Sequence, residues 1–250
     1  MPTLHWIGKD KIINHHQEVP YKVLDHKYGF SENEKPQTPS GSGNLIINGD
    51  NLEALKSLLP KYEGKVNCIY IDPPYNTGNE SWVYNDNVNS PKIKKWLGKV
   101  VGKESEDLTR HDKWLCMMYP RLKLLHKLLS KDGVIFISIN FKYEHYHLRC
   151  ICNEIFGDSN YIGELTWEAT TQPINSGSAR FGLQQKVEPI MFFAKNKNNQ
   201  TGFILKELDS GLNYPHQGKL GKCRFEIIEK SDAGGYERKT MKFSILGQLP

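Results

Sequence analysis

The chain has 250 residues, 38% hydrophobic and 24% charged, which excludes a disordered polypeptide and leaves room for one large α/β domain, or one domain and part of a second. A net charge of +5 permits nucleic-acid binding without requiring it. No run approaches the roughly 18 apolar residues of a membrane span, no signal core opens the chain, and five cysteines without a zinc-type doublet pair fit a reducing cytoplasm better than a disulfide framework or a metal site.

Residues 1–43 have little periodicity and end in Pro39-Ser40-Gly41-Ser42-Gly43, which predicts an N-terminal arm and a flexible joint. His15 and His16 are adjacent and share no helix face, so they read as surface histidines rather than metal ligands. Leu45 to Gly49 reads as a short strand. A helix from Asn51 follows, with Leu52, Leu55, Leu58 and Leu59 on one face and Pro60 as its stop. Val66 to Ile71 is a second apolar strand, which makes strand–helix–strand the βαβ unit of a parallel sheet. Residues 76–110 are polar and predict a long functional loop. Thr109 to Asp112 has the form of a capping box. The helix it opens carries Leu115, Met118, Leu122, Leu125 and Leu129 inward, with a kink or a late start at Pro120. Asp132-Gly133 turns into a buried strand, Val134 to Ile139. The next helix buries Leu148, Ile151, Cys152, Ile155 and Phe156, reads Cys150 and Cys152 as buried thiols, and ends at Gly157. Ile162 to Trp167 and Val187 to Ala194 are strands, the second an edge or bulged one because of Pro189.

In an open α/β sheet, ligands bind beyond the carboxyl ends of the strands. Asp72-Pro73-Pro74-Tyr75 occupies such an end. Two prolines fix two φ angles and remove two amide donors. What remains is a carboxylate, stiffly held carbonyls and a flat aromatic face, the equipment for gripping a planar amine. Acceptors on both N–H bonds of an exocyclic amine favour a pyramidal nitrogen whose lone pair is free to attack. The segment Ile69 to Asn79 resembles the catalytic motif of β-class adenine-specific DNA methyltransferases, and most of all the modification subunits of type III restriction systems. Asn48-Gly49-Asp50-Asn51-Leu52, Arg110 to Leu122 and Asp132 to Ile139 are similar to further segments of that family.

The resemblance implies a Rossmann-like, S-adenosylmethionine-dependent α/β fold. It implies that Asp72 and the Pro73 carbonyl accept from the target amine, with Pro74 completing the turn and Tyr75 stacking on a base flipped from double-stranded DNA. Asp50 and Asn51, with Asp72, would contact the cofactor, although Asp50 also reads as a plain helix N-cap. Phe192 or Phe193 would enclose the base or belong to the core. Lys92, Lys94, Lys95, Lys99 and Lys103 would form a phosphate-contacting stripe or a solvated face. Trp82, Tyr84 and Trp96 add aromatic surface. The implied organisation is an arm over 1–43, the catalytic part of the methyltransferase domain over 44–196 and the start of a target-recognition region over 197–250.

Two departures from the family stand out. Asn140-Phe141-Lys142 replaces an acidic pair. The Phe-x-Gly-x-Gly turn that cradles the cofactor has no match, so the fold reads as incomplete: a fragment or part of a split enzyme. Expected partners are a second methyltransferase chain or a homodimer mate, and a restriction subunit. Alternatives are a cytosine-amine or RNA methyltransferase, and an inactive protein that binds DNA or a partner chain.

Overall fold

The computed structural model describes residues 3–29, 43–77, 91–102, 108–169, 185–199, 215–219 and 221–223. The chain divides into two compact units, Met1–Thr201 and Gly202–Pro250. In the second, strands β5 (His216–Gly218) and β6 (Gly221–Cys223) pair as an antiparallel ribbon.

The first unit is built on a four-stranded mixed sheet in the order β1-β2-β4-β3. Strand β1 (Val66–Ile71) runs parallel to β2 (Leu129–Ser138); β4 (Val187–Ala194) lies antiparallel to both β2 and β3 (Tyr161–Glu168). Parallel pairing needs a crossover, and α5 (Arg110–Leu128) supplies it. The expected capping box is present: Thr109 Oγ1 accepts from the Asp112 amide, and Asp112 accepts from the Thr109 amide. The helix starts there and runs through a buried Pro120. Helix α5 touches α1 (Lys9–Ile12), α2 (His15–Glu18), α3 (Asn51–Tyr62), α4 (Pro91–Val100) and α6 (His145–Phe156), and its buried side chains, Trp114 to Leu128, form the centre of the core. On the sheet side, Ile135, Ile137, Met191 and Phe193 share one face and meet α6 (His145–Phe156) through Phe156.

Several expectations change. Residues 45–47 form no strand and stay exposed. A strand exists only with a partner to complete its hydrogen bonds, and no described segment pairs with this one. Helix α3 (Asn51–Tyr62) does form, but Pro60 sits inside its last turn instead of stopping it. Pro189 does not mark an edge, because β4 is central. It lies one step beyond the β2 ladder, where its carbonyl accepts from the Ile139 amide at 3.2 Å, and no N–H is needed from it. The Asp132-Gly133 turn is instead an irregularity within β2. A Cβ on Gly133 would stand 2.7 Å from the Val66 carbonyl oxygen, so only glycine allows that approach. Cys152 is buried but Cys150 is exposed.

The segment ahead of residue 20 does not stand off as an arm. It forms α1 (Lys9–Ile12) and α2 (His15–Glu18), both against α5. Trp6 Nε1 donates to Cys116 Sγ, Lys9 pairs with Glu154 at 2.8 Å, and Lys56 donates to the carbonyls of His16 and Gln17. His16 is buried rather than on the surface. Within 76–110 there is a helix, α4 (Pro91–Val100), with Leu97 buried and Trp96 edge-on to His15.

Burial, reinforced by neighbouring lysines, lowers both His16 and His126 to about 4. Each is therefore neutral in the fold and takes up a proton on unfolding below its ordinary pKa of about 6.5. Their contribution is fully present above that pH and is lost as pH falls from 6.5 toward 4, at most roughly 1.4 kcal/mol per unit for each. The urea midpoint should drop between pH 7 and pH 5, and less steeply in His126→Gln. A midpoint flat over that range would contradict this assignment.

Candidate active site

Strand β1 delivers Asp72 to the carboxyl end of the sheet, beside the end of β2. The turn that follows borders a cavity of about 330 Å³ lined by Tyr70, Asp72, Tyr75, Ser138, Trp167, Glu188, Pro189 and Ile190. Asp72 is exposed, Pro73 is buried and Tyr75 is half-buried. Trp114, fully buried on α5, donates its indole N–H to the Pro74 carbonyl at 2.6 Å. That bond fixes one of the two proline carbonyls from the core side. Across the cavity, Tyr75 Oη lies 3.5 Å from Glu188 Oε2, and Tyr70 Oη lies 2.8 Å from Ser138 Oγ. Burial, followed by the charge and hydrogen bonding of Asp72, pushes the Tyr75 phenol well above its ordinary pKa. Tyr75 is thus a neutral ring and hydrogen-bond donor, not an anion.

The predicted residues separate. Asp72 and Tyr75 share the cavity. Asp50 is the N-cap of α3: its Oδ1 accepts from the Leu52 amide at 2.9 Å and the Glu53 amide at 3.4 Å. Asn51 Oδ1 accepts from Arg121 Nε at 2.7 Å. Phe192 and Phe193 do not line the cavity. Phe193 is on the helix-covered face with Phe156 and Tyr161. Phe192 is on the cavity face but two residues further along it, stacked on Phe136 at 4.2 Å. Phe193 belongs to the core cluster, and Phe192 is buried against Phe136 on the other face of the sheet. Lys94, Lys95 and Lys99 are exposed on α4. The Lys92 side chain, Lys103, Trp82 and Tyr84 lie outside the described residues.

The far wall was missed. Trp167 and Glu188 sit directly opposite in the β3–β4 ladder, one step beyond Leu165 and Ile190 on the same face. The available signal was parity. Side chains on one sheet face recur every second residue, so Phe192, Ile190 and Glu188 form one series, and its members nearest the carboxyl end of β2 reach the site.

A family described as DNA methylase matches residues 66–238. The EcoPI Mod subunit of a type III restriction-modification enzyme, from Escherichia phage P1, is 36% identical over 78% of this chain and 31% of its own length. The EcoP15I Mod subunit from Escherichia coli is 35% identical over 78% of this chain and 30% of its own. The chain therefore spans about a third of these curated relatives. Among solved structures, the PvuII cytosine-N4-specific DNA methyltransferase aligns at 13% identity, covering 58% of this chain and 47% of that one, with a TM-score of 0.37.

Proposed function

The chain belongs to the N6/N4 DNA methylase family, and from that membership we propose that it carries the amine-binding site of a restriction–modification DNA methyltransferase, one that moves a methyl group from S-adenosylmethionine to the exocyclic amine of adenine in double-stranded DNA. The observation that carries the proposal is Asp72-Pro73-Pro74-Tyr75 at a strand end, opening on a cavity. Asp72 and the Pro73 carbonyl accept the two N–H bonds of the amine and hold it pyramidal. The Trp114 bond occupies the next carbonyl and keeps the turn from rotating. Tyr75 offers its face to the flipped base, which offsets part of the few kcal/mol of unstacking. Trp167, exposed across the cavity, offers a second aromatic wall. The amine sheds one proton, and Asp72, open to solvent, is placed to accept it.

Asp50 fits the adenosine end of the cofactor, because both capping bonds fall on Oδ1 and leave Oδ2 for another donor. When bound, that cofactor supplies an electrophilic sulfonium methyl group. Lys94, Lys95 and Lys99, with Lys92 and Lys103, serve as phosphate contacts. No helix among the described residues is long and apolar enough to cross a membrane. A restriction subunit and a second methyltransferase chain are the proposed partners.

The test is labelled-methyl transfer into duplex DNA, followed by nucleoside analysis. It uses this chain alone and with the carboxyl-terminal part of a type III modification subunit supplied as a second polypeptide. N6-methyladenine is expected, and N4-methylcytosine would move the target to cytosine. No methylated base under either condition, with no calorimetric binding of S-adenosylmethionine, would overturn the proposal.

A further inference from the structure

Asn76 follows the Asp72–Tyr75 turn directly. Its φ is 59°, the one positive value at a non-glycine position among the described residues. Asparagine tolerates that region better than most residues, yet the conformation is still disfavoured for an L side chain. Something must hold it. The Asn76 side chain is buried, and its Nδ2 donates to Glu144 Oε1 and, at 3.3 Å, to the Arg110 carbonyl.

Glu144 is the N-cap residue of α6, and its carboxylate is wholly buried. A buried carboxylate is stable only when its oxygens are paired. Here three groups from three places converge on it: Asn76 from the turn, His111 Nδ1 of α5 at 2.7 Å from Oε1, and His147 Nδ1 of α6 at 2.8 Å from Oε2. The bond to Glu144 raises the His147 pKa, which favours a compensating positive charge. His111, Glu144 and His147 could also be read as a zinc-type donor set. The distances argue otherwise. Ligand atoms about 2.1 Å from a tetrahedral ion stand about 3.4 Å apart, whereas these separations are hydrogen-bond lengths.

We propose that Glu144 is a positioning residue for the amine-binding turn: its carboxylate holds Asn76 left-handed, and so keeps Asp72, the Pro73 carbonyl and Tyr75 in register with the cavity. The catalytic consequence rests on the reading above. The geometric effect can be measured without turnover.

The reporter is the Trp114 indole N–H, bonded to Pro74, with the Trp6 indole N–H, bonded to Cys116, as an internal reference. In the full chain, Glu144→Ala should speed hydrogen exchange at Trp114 by about tenfold or more and leave Trp6 unchanged. Asn76→Gly keeps access to positive φ but removes the amide, and should do the same. The double variant should be no worse than the worse single one, because both act through one bond. Glu144→Gln, which keeps the volume, carries the test if Glu144→Ala fails to fold, and should give a smaller effect of the same sign. Unchanged Trp114 exchange, equal loosening of both indoles, or additive effects would overturn the proposal. So would stoichiometric zinc binding that is lost on changing His111 and His147. In the methyl-transfer assay, the same variants should lower kcat by about tenfold and leave the KM for DNA within about twofold. A wild-type chain that transfers no methyl while the Trp114 indole still loosens would remove the functional reading and leave the role of Glu144 standing.

Discussion

Asp72→Ala should lower methyl transfer by about 10²- to 10³-fold or more, the scale of losing one preorganised polar group at a reacting centre, while duplex binding survives. The side chain is exposed and sits beyond the last paired residue of β1, so its removal opens no core cavity and breaks no ladder bond. In the proposed mechanism it removes one of two acceptors on the amine, together with the contact to Tyr75. With only the Pro73 carbonyl left, the nitrogen keeps its lone pair in the ring and the barrier returns. Taking away a negative charge at the mouth of the site cannot weaken attraction for phosphate. Binding measured at two salt concentrations should therefore keep its slope and strengthen slightly if it changes. Parallel loss of transfer and binding would make Asp72 a structural residue and remove the chemistry assigned to the turn.

How much of this was legible in the sequence depended on whether the signal was local. The box at Thr109 and Asp112 is satisfied within four residues, and it was readable. So was the buried face of α6, which follows from apolar spacing, whereas the parallel partner of β1 is β2 across α5 and not the predicted strand at Leu45 to Gly49. The four-residue helices α1 and α2 are too short to show a period, and the partners of Trp6 and Lys9, Cys116 of α5 and Glu154 of α6, lie 110 and 145 residues away. Helix α4 hides among lysines, and its inward residues Trp96, Leu97 and Val100, with Val101 just past its end, come in two adjacent pairs. Leu45 to Ile47 shows the reverse. Its composition suits a strand, but pairing is a property of two segments and cannot be read from one. The far wall failed by parity: Phe192 is on the correct face yet too deep, and Phe193 faces the helices. Glu144 carried no motif at all. Its importance comes from burial, which only the fold reveals.

Trp114 tests whether the site and the core are one object. It is fully buried and the largest such side chain among the described residues, so Trp114→Ala should cost about 3–5 kcal/mol of stability, enough to unfold many domains outright. That result alone would say nothing about the site. Trp114→Phe separates the two roles. It keeps an aromatic ring in the pocket, removes the N–H that reaches the Pro74 carbonyl at 2.6 Å, and trims the fused ring, a volume loss that lowers stability whichever way the turn responds. If that carbonyl stays buried and unpaired, the further cost is about 1–3 kcal/mol; if the turn swings it to solvent, that further cost disappears and alignment is lost. The two outcomes are exclusive in what they predict. A strained but aligned turn gives the larger drop in urea midpoint with near-normal methyl transfer, and a released turn gives the smaller drop with methyl transfer lost. The released turn is expected, because the segment lies at the surface end of β1 with Asp72 already in solvent, and water can satisfy the carbonyl there. Methyl transfer should therefore fall further than stability. A Trp114→Phe protein with normal turnover and a normal midpoint would show that the indole bond does not hold the turn, and the Glu144 contact would then be left as its tether.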